Sequence, residues 1–171
     1  GAASPYAAAK LADEALIRSF ARCFDLPFVI LRFSNVYGRF DDLERNGRFV
    51  PLLCDRVPRR APLTIFGPHK TFDFTYIDDA VDGVARTIHR LVHARDTVSG
   101  QAINLGTGSG TTLLEAATLG AHAAGIDPYF DLGTIRVGEI SQYVADLGKA
   151  RALLGYAPQF PSDRKSTRLN S

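Results

Sequence analysis

The chain has 171 residues, of which 46% are apolar and 22% charged, and its formal charge is +2. These are ordinary values for a globular protein with one good core. No apolar run approaches the ~20 residues that a membrane-spanning helix needs, and no signal peptide is visible, so the sequence predicts no membrane partner.

The excess positive charge lies in the last ten residues, 162–171, and the rest of the chain carries equal numbers of cations and anions. No basic surface for nucleic acid is therefore predicted. Beyond Pro161 the tail has no apolar period and resembles translated adaptor or vector sequence. The fold prediction therefore covers residues 1–161 and treats the tail as non-native.

Cys23 and Cys54 have apolar neighbours in the sequence, which predicts buried, reduced thiols. Two cysteines without a short secreted frame favour a reducing compartment, and a cytoplasmic location is expected. The chain begins at Gly1 and contains no Met, so we expect a piece of a longer reading frame.

The first predicted helix begins after Ser4, a favourable N-cap, and runs from Pro5 to about Phe24. Tyr6 and Lys10 share one face of this helix, and a nearby cation favours the phenolate form of a tyrosine. The pair is therefore a candidate for acid/base chemistry; a surface Tyr and Lys on an amphipathic helix is the alternative. Apolar residues at every fourth position predict one buried stripe: Ala12, Leu16, Phe20 and Phe24.

The next segments predict an α/β pattern. Pro27 ends the helix, and the apolar run 28–33 predicts a buried parallel strand. Asn35 follows the strand at the edge where α/β proteins bind ligands, although Asn is also a common turn residue. Residues 38–48 predict a polar loop over a cleft, and a helix over 49–57 follows.

The middle of the chain predicts two short strands, 63–66 and 72–76, and then an amphipathic helix. Asp78 or Asp79 is expected to cap this helix. Its predicted inward side consists of Val81, Val84, Ala85, Ile88 and Leu91.

Residues 102–105 predict another strand, and a glycine-rich turn over 106–110 follows it. The spacing is G-x-G-x-G rather than G-x-G-x-x-G, which favours a structural turn over a dinucleotide loop. Thr112 and Glu115 form a capping box for the next helix. Residues 134–144 are expected to be extended, and a last helix is predicted from a cap at Asp146 to Gly155.

Seven segments follow one another in a characteristic order. They are Ser-Pro-Tyr-Ala-Ala-Ala-Lys (4–10), Leu-Arg-Phe-Ser-Asn-Val-Tyr-Gly (31–38), Leu-Thr-Ile-Phe-Gly (63–67), Asp-Phe-Thr-Tyr-Ile-Asp-Asp (73–79), Asn-Leu-Gly-Thr-Gly (104–108), Arg-Val-Gly-Glu (136–139) and Ala-Asp-Leu-Gly-Lys-Ala (145–150). Together they resemble the extended short-chain dehydrogenase/reductase family, the NAD-dependent nucleotide-sugar epimerases and dehydratases. The resemblance implies the C-terminal part of a Rossmann-type parallel sheet interleaved with a small α/β substrate-binding domain. The family's Gly-rich NAD loop and its catalytic Ser/Thr would lie upstream of Gly1.

The resemblance also implies roles near the reacting carbon. Tyr6 would be the acid/base for a sugar hydroxyl, while Lys10 would hold the nicotinamide ribose and lower the Tyr6 pKa. Phe33 and Ser34 would line the nicotinamide, and Asn35 would hydrogen-bond the substrate. NAD is expected rather than NADP, and no metal is predicted.

Further residues would bind the rest of a nucleotide sugar by the same resemblance. Arg136 would contact the diphosphate, and Glu139 would hold a ribose hydroxyl or orient the arginine. Phe72 stands where the family commonly has an arginine clamp, which puts the usual UDP- or dTDP-sugar in doubt; Lys70, Arg45 or Arg48 could substitute. The residues expected to flank the nucleobase are Phe49, Leu52, Thr64 and Phe66, for which a core role is the alternative.

The predicted function is that of a nucleotide-sugar epimerase or dehydratase that works by transient hydride abstraction. The full-length protein is expected to be a homodimer, and the fragment is expected to be inactive alone. The alternative is a non-catalytic NAD(P)- or ligand-binding member of the fold, which the Tyr6 and Lys10 pair disfavours and Phe72 favours. The reacting sugar carbon stays open.

Overall fold

A computed structural model of the chain describes residues 4–41, 48–135 and 139–160. The helices are α1 (Pro5–Phe24), α2 (Phe49–Arg56), α3 (Ile77–His93), α4 (Arg95–Val98), α5 (Leu113–Ala123) and a π-helical segment (Ala150–Leu154). The strands are β1 (Ile30–Phe33), β2 (Asn35–Tyr37), β3 (Thr64–Phe66), β4 (Thr71–Phe72), β5 (Phe74–Tyr76), β6 (Ala102–Leu105), β7 (Thr111–Thr112), β8 (Asp131–Gly133) and β9 (Gln142–Tyr143).

The strand pairs are mostly parallel, which confirms the predicted α/β class. β1 pairs with β6, and β2 pairs with β5, both in parallel. β3 also pairs with β8 in parallel, whereas β4 lies between antiparallel β7 and parallel β9. Because β1 and β2 are separated only by Ser34, the chain changes sheets at the position where the sequence placed its candidate site.

The buried side chains form two clusters. The first lies between α2, α5 and strands β2, β3 and β5, and its members are Tyr37, Leu53, Val57, Leu63, Ile65, Phe74, Leu113, Ala117 and Ala121. The second lies beside β6 and the C-terminal segment, and consists of Val98, Ile103, Leu105, Ala145, Leu147, Ala150, Leu154 and Tyr156. Two clusters are consistent with a sheet region and a smaller region that share one chain.

Helix α1 has the predicted bounds. Ser4 accepts the Ala7 N–H at 3.2 Å, and Asp25 ends the helix in the left-handed conformation with φ 49°. The predicted buried stripe is wrong, because no residue of α1 is buried and Phe24 is 65% exposed. The sequence period shows that the helix has an apolar face, but the described residues supply nothing to cover it. Cys23, on the same helix, is exposed as well.

Polar contacts join α1 to the rest of the molecule. Glu14 accepts two hydrogen bonds from the guanidinium of Arg32 on β1, at 2.6 and 2.7 Å. Arg18 donates to the Gly100 carbonyl at 3.1 Å. Since Glu14 is the acceptor for Arg32, its carboxyl pKa is lowered. The helix is therefore placed beside β1 by an ion pair rather than by core packing.

The predicted inward side of α3 is only partly right: Leu91 packs against the second cluster and Val84 is half-buried, but the fully buried residues lie on another face. The buried residues of the helix are Asp79, Ala80, Gly83 and Thr87, whereas Val81 and Ile88 are 57% and 58% exposed. A Cβ on Gly83 would lie 2.7 Å from a Leu105 methyl group, so the helix meets β6 through its smallest residue. The buried face of α3 is the one that allows the helix to lie close to β6, and the apolar period of the sequence does not indicate it.

The predicted cap of α3 is also wrong. Tyr76 occupies the N-cap position without a side-chain hydrogen bond, and Asp78 and Asp79 lie within the first turn. Asp79 instead accepts backbone N–H groups of Gln159 and Phe160 at 2.7 and 3.1 Å. The carboxylate therefore fixes the C-terminal segment to the start of the helix.

Other predicted local features are confirmed. The capping box of α5 is present, with the Glu115 N–H 3.1 Å from the Thr112 hydroxyl. Gly155 ends the last helical segment with φ 63°, although that segment is π-helical.

Cys54 on α2 is exposed, so the predicted burial of both cysteines is wrong. None of the described helices combines the length and apolar character needed to cross a membrane.

Candidate functional site

A cleft of about 360 Å³ opens where β1 passes into β2. Its lining includes four of the predicted site residues: Phe33, Ser34 and Asn35, and Phe49 from the start of α2. Phe33 presents an exposed ring, 45% accessible, and the Asn35 N–H donates to the Asp73 carbonyl at 3.0 Å. The structure thus brings the predicted nicotinamide residues and one predicted nucleobase residue to a single cleft.

Arg48 and Asp41 form the loop side of this cleft. Arg48 donates to the Val36 carbonyl at 3.1 Å and forms a close ion pair with Asp41. The second Asp41 oxygen is buried and has no hydrogen-bond partner among residues 4–41, 48–135 and 139–160. A guanidinium is therefore held among the residues that line the cleft.

Tyr6 and Lys10 lie on one face of α1, as predicted. The Lys10 Nζ atom lies 5.9 Å from the centre of the Tyr6 ring, and Tyr6 is 73% exposed. Lys10 also donates to Asp13 at 2.9 Å, and this hydrogen bond raises the pKa of its ammonium group. Asp13 therefore competes with Tyr6 for the positive charge of Lys10.

Tyr37 lines the cleft, whereas Tyr6 and Lys10 are not among its lining residues, and Tyr37 is buried within the first cluster. Burial raises its pKa well above the ordinary range, and the neighbouring Tyr76 acts in the same direction. Their rings meet edge to face with centres 5.6 Å apart. Tyr37 therefore stays a neutral phenol near pH 7, which makes it a poorer candidate base than exposed Tyr6.

The remaining predicted substrate residues lie apart from the lining of this cleft. Leu52 and Phe72 are half-buried and pack against the first cluster, while Thr64 and Phe66 lie exposed on β3. For Leu52 this arrangement supports the alternative of a core role.

Glu139 is held by Lys70. The ammonium of Lys70, which is 8% exposed, donates to the Glu139 carboxylate at 2.6 Å. Lys70 is therefore committed to an ion pair, which weakens its case as the substitute diphosphate cation. Arg136 and Arg45 lie outside the described residues, as does the tail.

Sequence reasoning missed Asp73, the buried carboxylate behind the cleft. It is fully buried between β4 and β5 and accepts the N–H groups of Thr107 at 2.9 Å, Gly108 at 2.9 Å and Ala145 at 3.3 Å. The Thr107 hydroxyl donates to it at 2.6 Å. A Cβ on Gly106 would lie 2.5 Å from this carboxylate. The glycine-rich turn is therefore structural, as predicted, and its amides bind a side chain of the same chain.

A signal for this anchor was present in the sequence. Asp73 stands between Phe72 and Phe74 in an otherwise apolar strand pattern, and a buried carboxylate requires hydrogen-bond donors. A second hydroxyl, that of Thr75, lies 3.5 Å from Asp73 and also hydrogen-bonds to the hydroxyl of Ser34. Asp73 is thus linked to the cleft through two side chains.

The described residues include no group of three or more His, Cys, Asp or Glu side chains placed to hold a metal ion. The chemistry on offer consists of a phenol and an ammonium on α1, and of aromatic, hydroxyl, amide and guanidinium groups at the cleft.

Parallel strands with a polar cleft at their carboxyl ends define an α/β protein of the kind that binds nucleotides and related cofactors. The chain belongs to the NAD dependent epimerase/dehydratase family, whose sequence model matches residues 1–106.

Individual relatives agree with this membership. The chain is 32% identical over 156 residues to an uncharacterized UDP-glucose epimerase of Bacillus subtilis, covering 91% of this chain and 47% of that protein. It is 32% identical over 165 residues to a dTDP-L-rhamnose 4-epimerase of Burkholderia thailandensis, with coverage of 94% and 44%. Among solved structures, UDP-glucose 4-epimerase of Thermotoga maritima, determined with UDP-glucose, superposes with a TM-score of 0.85 at 29% identity, covering 95% of this chain and 51% of that one. The chain spans about half the length of the curated relatives it matches.

Proposed function

We propose that the chain supplies the acid/base helix and the substrate side of an NAD-dependent nucleotide-sugar epimerase or dehydratase. The observation that carries this proposal is the meeting of Phe33, Ser34, Asn35 and Phe49 at one cleft. The names of the relatives, which include UDP-glucose and dTDP-sugar enzymes, support the same chemistry. Residues 1–161 are proposed as the native part.

The cleft fits a nicotinamide in its chemistry. An exposed aromatic ring, Phe33, stands beside the hydroxyl of Ser34, and a flat polar heteroaromatic ring needs both an apolar face and hydrogen-bond partners. NAD, when bound, supplies the hydride acceptor for oxidation of a sugar carbon. NAD is proposed rather than NADP because the family is described as NAD dependent.

The residues of the chain move and hold the proton. Tyr6 accepts the proton that a sugar hydroxyl loses while its carbon is oxidised, and returns it when the carbonyl is reduced. Lys10 supports the phenolate as a nearby cation, since its Nζ atom lies 5.9 Å from the centre of the Tyr6 ring. Asn35 is proposed to orient the sugar through its side-chain amide.

The substrate proposal rests on charges around the cleft. Both Arg48 and Lys70 have a carboxylate partner, but Arg48 lines the cleft and its side chain is 51% exposed, whereas the Lys70 side chain is 9% exposed, so Arg48 is the better substitute for the missing clamp. Arg136 is proposed to contact the diphosphate on sequence grounds, with Glu139 nearby in the chain. Phe72 is proposed as an apolar support, because its ring packs against the first cluster.

A homodimer of the full-length protein and a cytoplasmic location are proposed as well. The exposed apolar face of α1, which includes Leu16, Phe20 and Phe24, supports a protein neighbour on that side. Sedimentation of the full-length protein tests the dimer.

The decisive experiment assays the full-length protein with UDP-glucose and dTDP-glucose in the presence of NAD. Product formation that Tyr6→Phe reduces at least about a hundredfold would support the proposal. Tight NAD binding with no turnover on either sugar would instead favour the non-catalytic alternative. Turnover that is unaffected by Tyr6→Phe would remove α1 from the catalytic assignment.

A further inference from the structure

Three side chains form a hydrogen-bonded path from the buried turn to the cleft. Asp73 lies at the inner end, Thr75 in the middle and Ser34 at the cleft. Asp73 and Thr75 are both fully buried, so solvent does not compete for their hydrogen bonds. Each hydrogen bond of the path has a donor and an acceptor, and the roles of the three side chains depend on one another.

The inner end fixes these roles. A carboxylate can only accept hydrogen bonds, and Asp73 already accepts from the turn through Thr107 and Gly108. The Thr75 hydroxyl lies 3.5 Å from the Oδ1 atom of Asp73, and the hydrogen bond between them must use the Thr75 hydrogen, because a carboxylate has none. Thr75 has only one hydroxyl hydrogen, so toward Ser34 it can act only as an acceptor.

The role of Ser34 follows from the number of hydroxyl hydrogens that are available. Ser34 must give its single hydrogen to Thr75, and only lone pairs then remain for a molecule in the cleft. We propose that Asp73, acting through Thr75, holds Ser34 as a fixed hydrogen-bond acceptor that selects ligands presenting an N–H or O–H group. Asp73 and Thr75 are positioning residues, and Ser34 is the contact.

The identity of the ligand rests on the proposed function. Two groups of an NAD-dependent sugar enzyme could present the hydrogen: the carboxamide N–H of the cofactor and a hydroxyl of the sugar. Both are donors, so the shared chemistry is the same. Suitable analogues distinguish them, because 3-acetylpyridine adenine dinucleotide has a methyl ketone instead of the carboxamide, and a deoxysugar lacks one hydroxyl.

The binding test uses the full-length protein and compares the dissociation constants of NAD and its acetylpyridine analogue by calorimetry. If the carboxamide is the donor, the parent should prefer NAD by roughly three- to tenfold, the worth of one neutral hydrogen bond. Ser34→Ala should abolish this preference and Thr75→Val should reduce it. The same comparison with a UDP-sugar and its deoxy analogues tests the other source.

A double-mutant cycle separates positioning from general stability. Once Ser34 is alanine, adding Thr75→Val should leave the preference unchanged, because both substitutions break the same path. Thr87→Val is the matched control: Thr87 is buried and its hydroxyl donates to the Gly83 carbonyl at 2.7 Å, within α3. Thr75→Ser, which keeps the hydroxyl, should retain the parental preference. Additive effects, or no change of either preference in Ser34→Ala, would overturn the proposal.

A ligand-free measurement tests the path by itself. In NMR spectra of protein labelled at serine, exchange of the Ser34 hydroxyl hydrogen should be slow in the parent and Thr87→Val, and fast in Thr75→Val. Fast exchange in the parent would overturn the proposal even if the cofactor binds. Slow exchange of the Ser34 hydroxyl hydrogen in a parent protein that binds neither NAD nor a nucleotide sugar would support the hydrogen-bonded path and refute the proposed function.

Discussion

Replacing Asp73 by alanine should destabilise the protein far more than the loss of one side chain suggests. The substitution leaves three N–H groups without their acceptor: those of Thr107 and Ala145, whose hydrogen bonds are buried, and that of Gly108, whose hydrogen bond is partly buried. A buried donor without a partner costs about 1–3 kcal/mol. A water molecule can enter the vacated space and accept hydrogen bonds from some of these N–H groups. We therefore expect a loss of about 3–5 kcal/mol in the free energy of unfolding.

Two other aspartates provide a graded comparison. Asp79→Ala leaves two partly buried N–H groups, those of Gln159 and Phe160, and should cost about 1–3 kcal/mol. Asp82→Ala breaks only an exposed helix pair with Arg86 and should cost no more than about 0.5 kcal/mol.

Urea unfolding of the full-length protein gives the ranking, and hydrogen exchange locates the effect. In Asp73→Ala the amides of Thr107, Gly108 and Ala145 should lose protection, while the helical amides of α5 should keep theirs. The reasoning would be refuted if Asp73→Ala cost no more than Asp79→Ala, or if those three amides exchanged at the parental rate.

Three further predictions concern the proposed enzyme. Tyr6→Phe should lower kcat by about 10² to 10⁴ with little change in substrate affinity, whereas Tyr129→Phe, at an 87% exposed tyrosine, should leave both unchanged; equal effects would contradict the assignment. Asp13→Asn should lower the pKa of Lys10, because the Asp13 carboxylate raises that pKa and favours the charged form up to a higher pH. The fall of kcat at alkaline pH should then begin at a lower pH. An unchanged pH profile of kcat would exclude Lys10 as the titrating group. Arg136→Ala should raise the KM for a nucleotide sugar about ten- to a hundredfold, since a charge-assisted contact is worth roughly 1.5–3 kcal/mol. Arg90→Ala, at an exposed arginine, is the control. An unchanged KM in Arg136→Ala would remove Arg136 from the diphosphate site.

Local features were predictable from the sequence because short-range chemistry determines them. Ser4 and Pro5 define the start of α1, and the capping box of Thr112 and Glu115 defines the start of α5. The strand over 102–105 has its predicted bounds. The cleft was predicted from the end of the strand over 28–33 together with the polar loop over 38–48, because Asn35 by itself is equally typical of a turn.

Burial was harder to predict, because an apolar period describes a helix and not its neighbours. Val81 and Ile88 belong to the most apolar side of α3, yet they are exposed. Gly83, which a hydrophobic pattern ignores, makes the closest approach to Leu105. The buried face was therefore decided by the distance between helix and strand, which depends on tertiary contacts.

Asp73 shows why part of the candidate site could not be predicted. The run 72–76 reads as one strand, but the structure divides it between two sheets at this residue. The Asp73 N–H donates to the Tyr143 carbonyl at 2.9 Å, and its own carbonyl accepts from Asn35 at 3.0 Å. Its side chain meanwhile binds Thr107, which is 34 positions away in the sequence. One residue thus sets the distance between the cleft, the glycine-rich turn and the C-terminal strand, and a substitution there should displace Asn35 without touching any ligand.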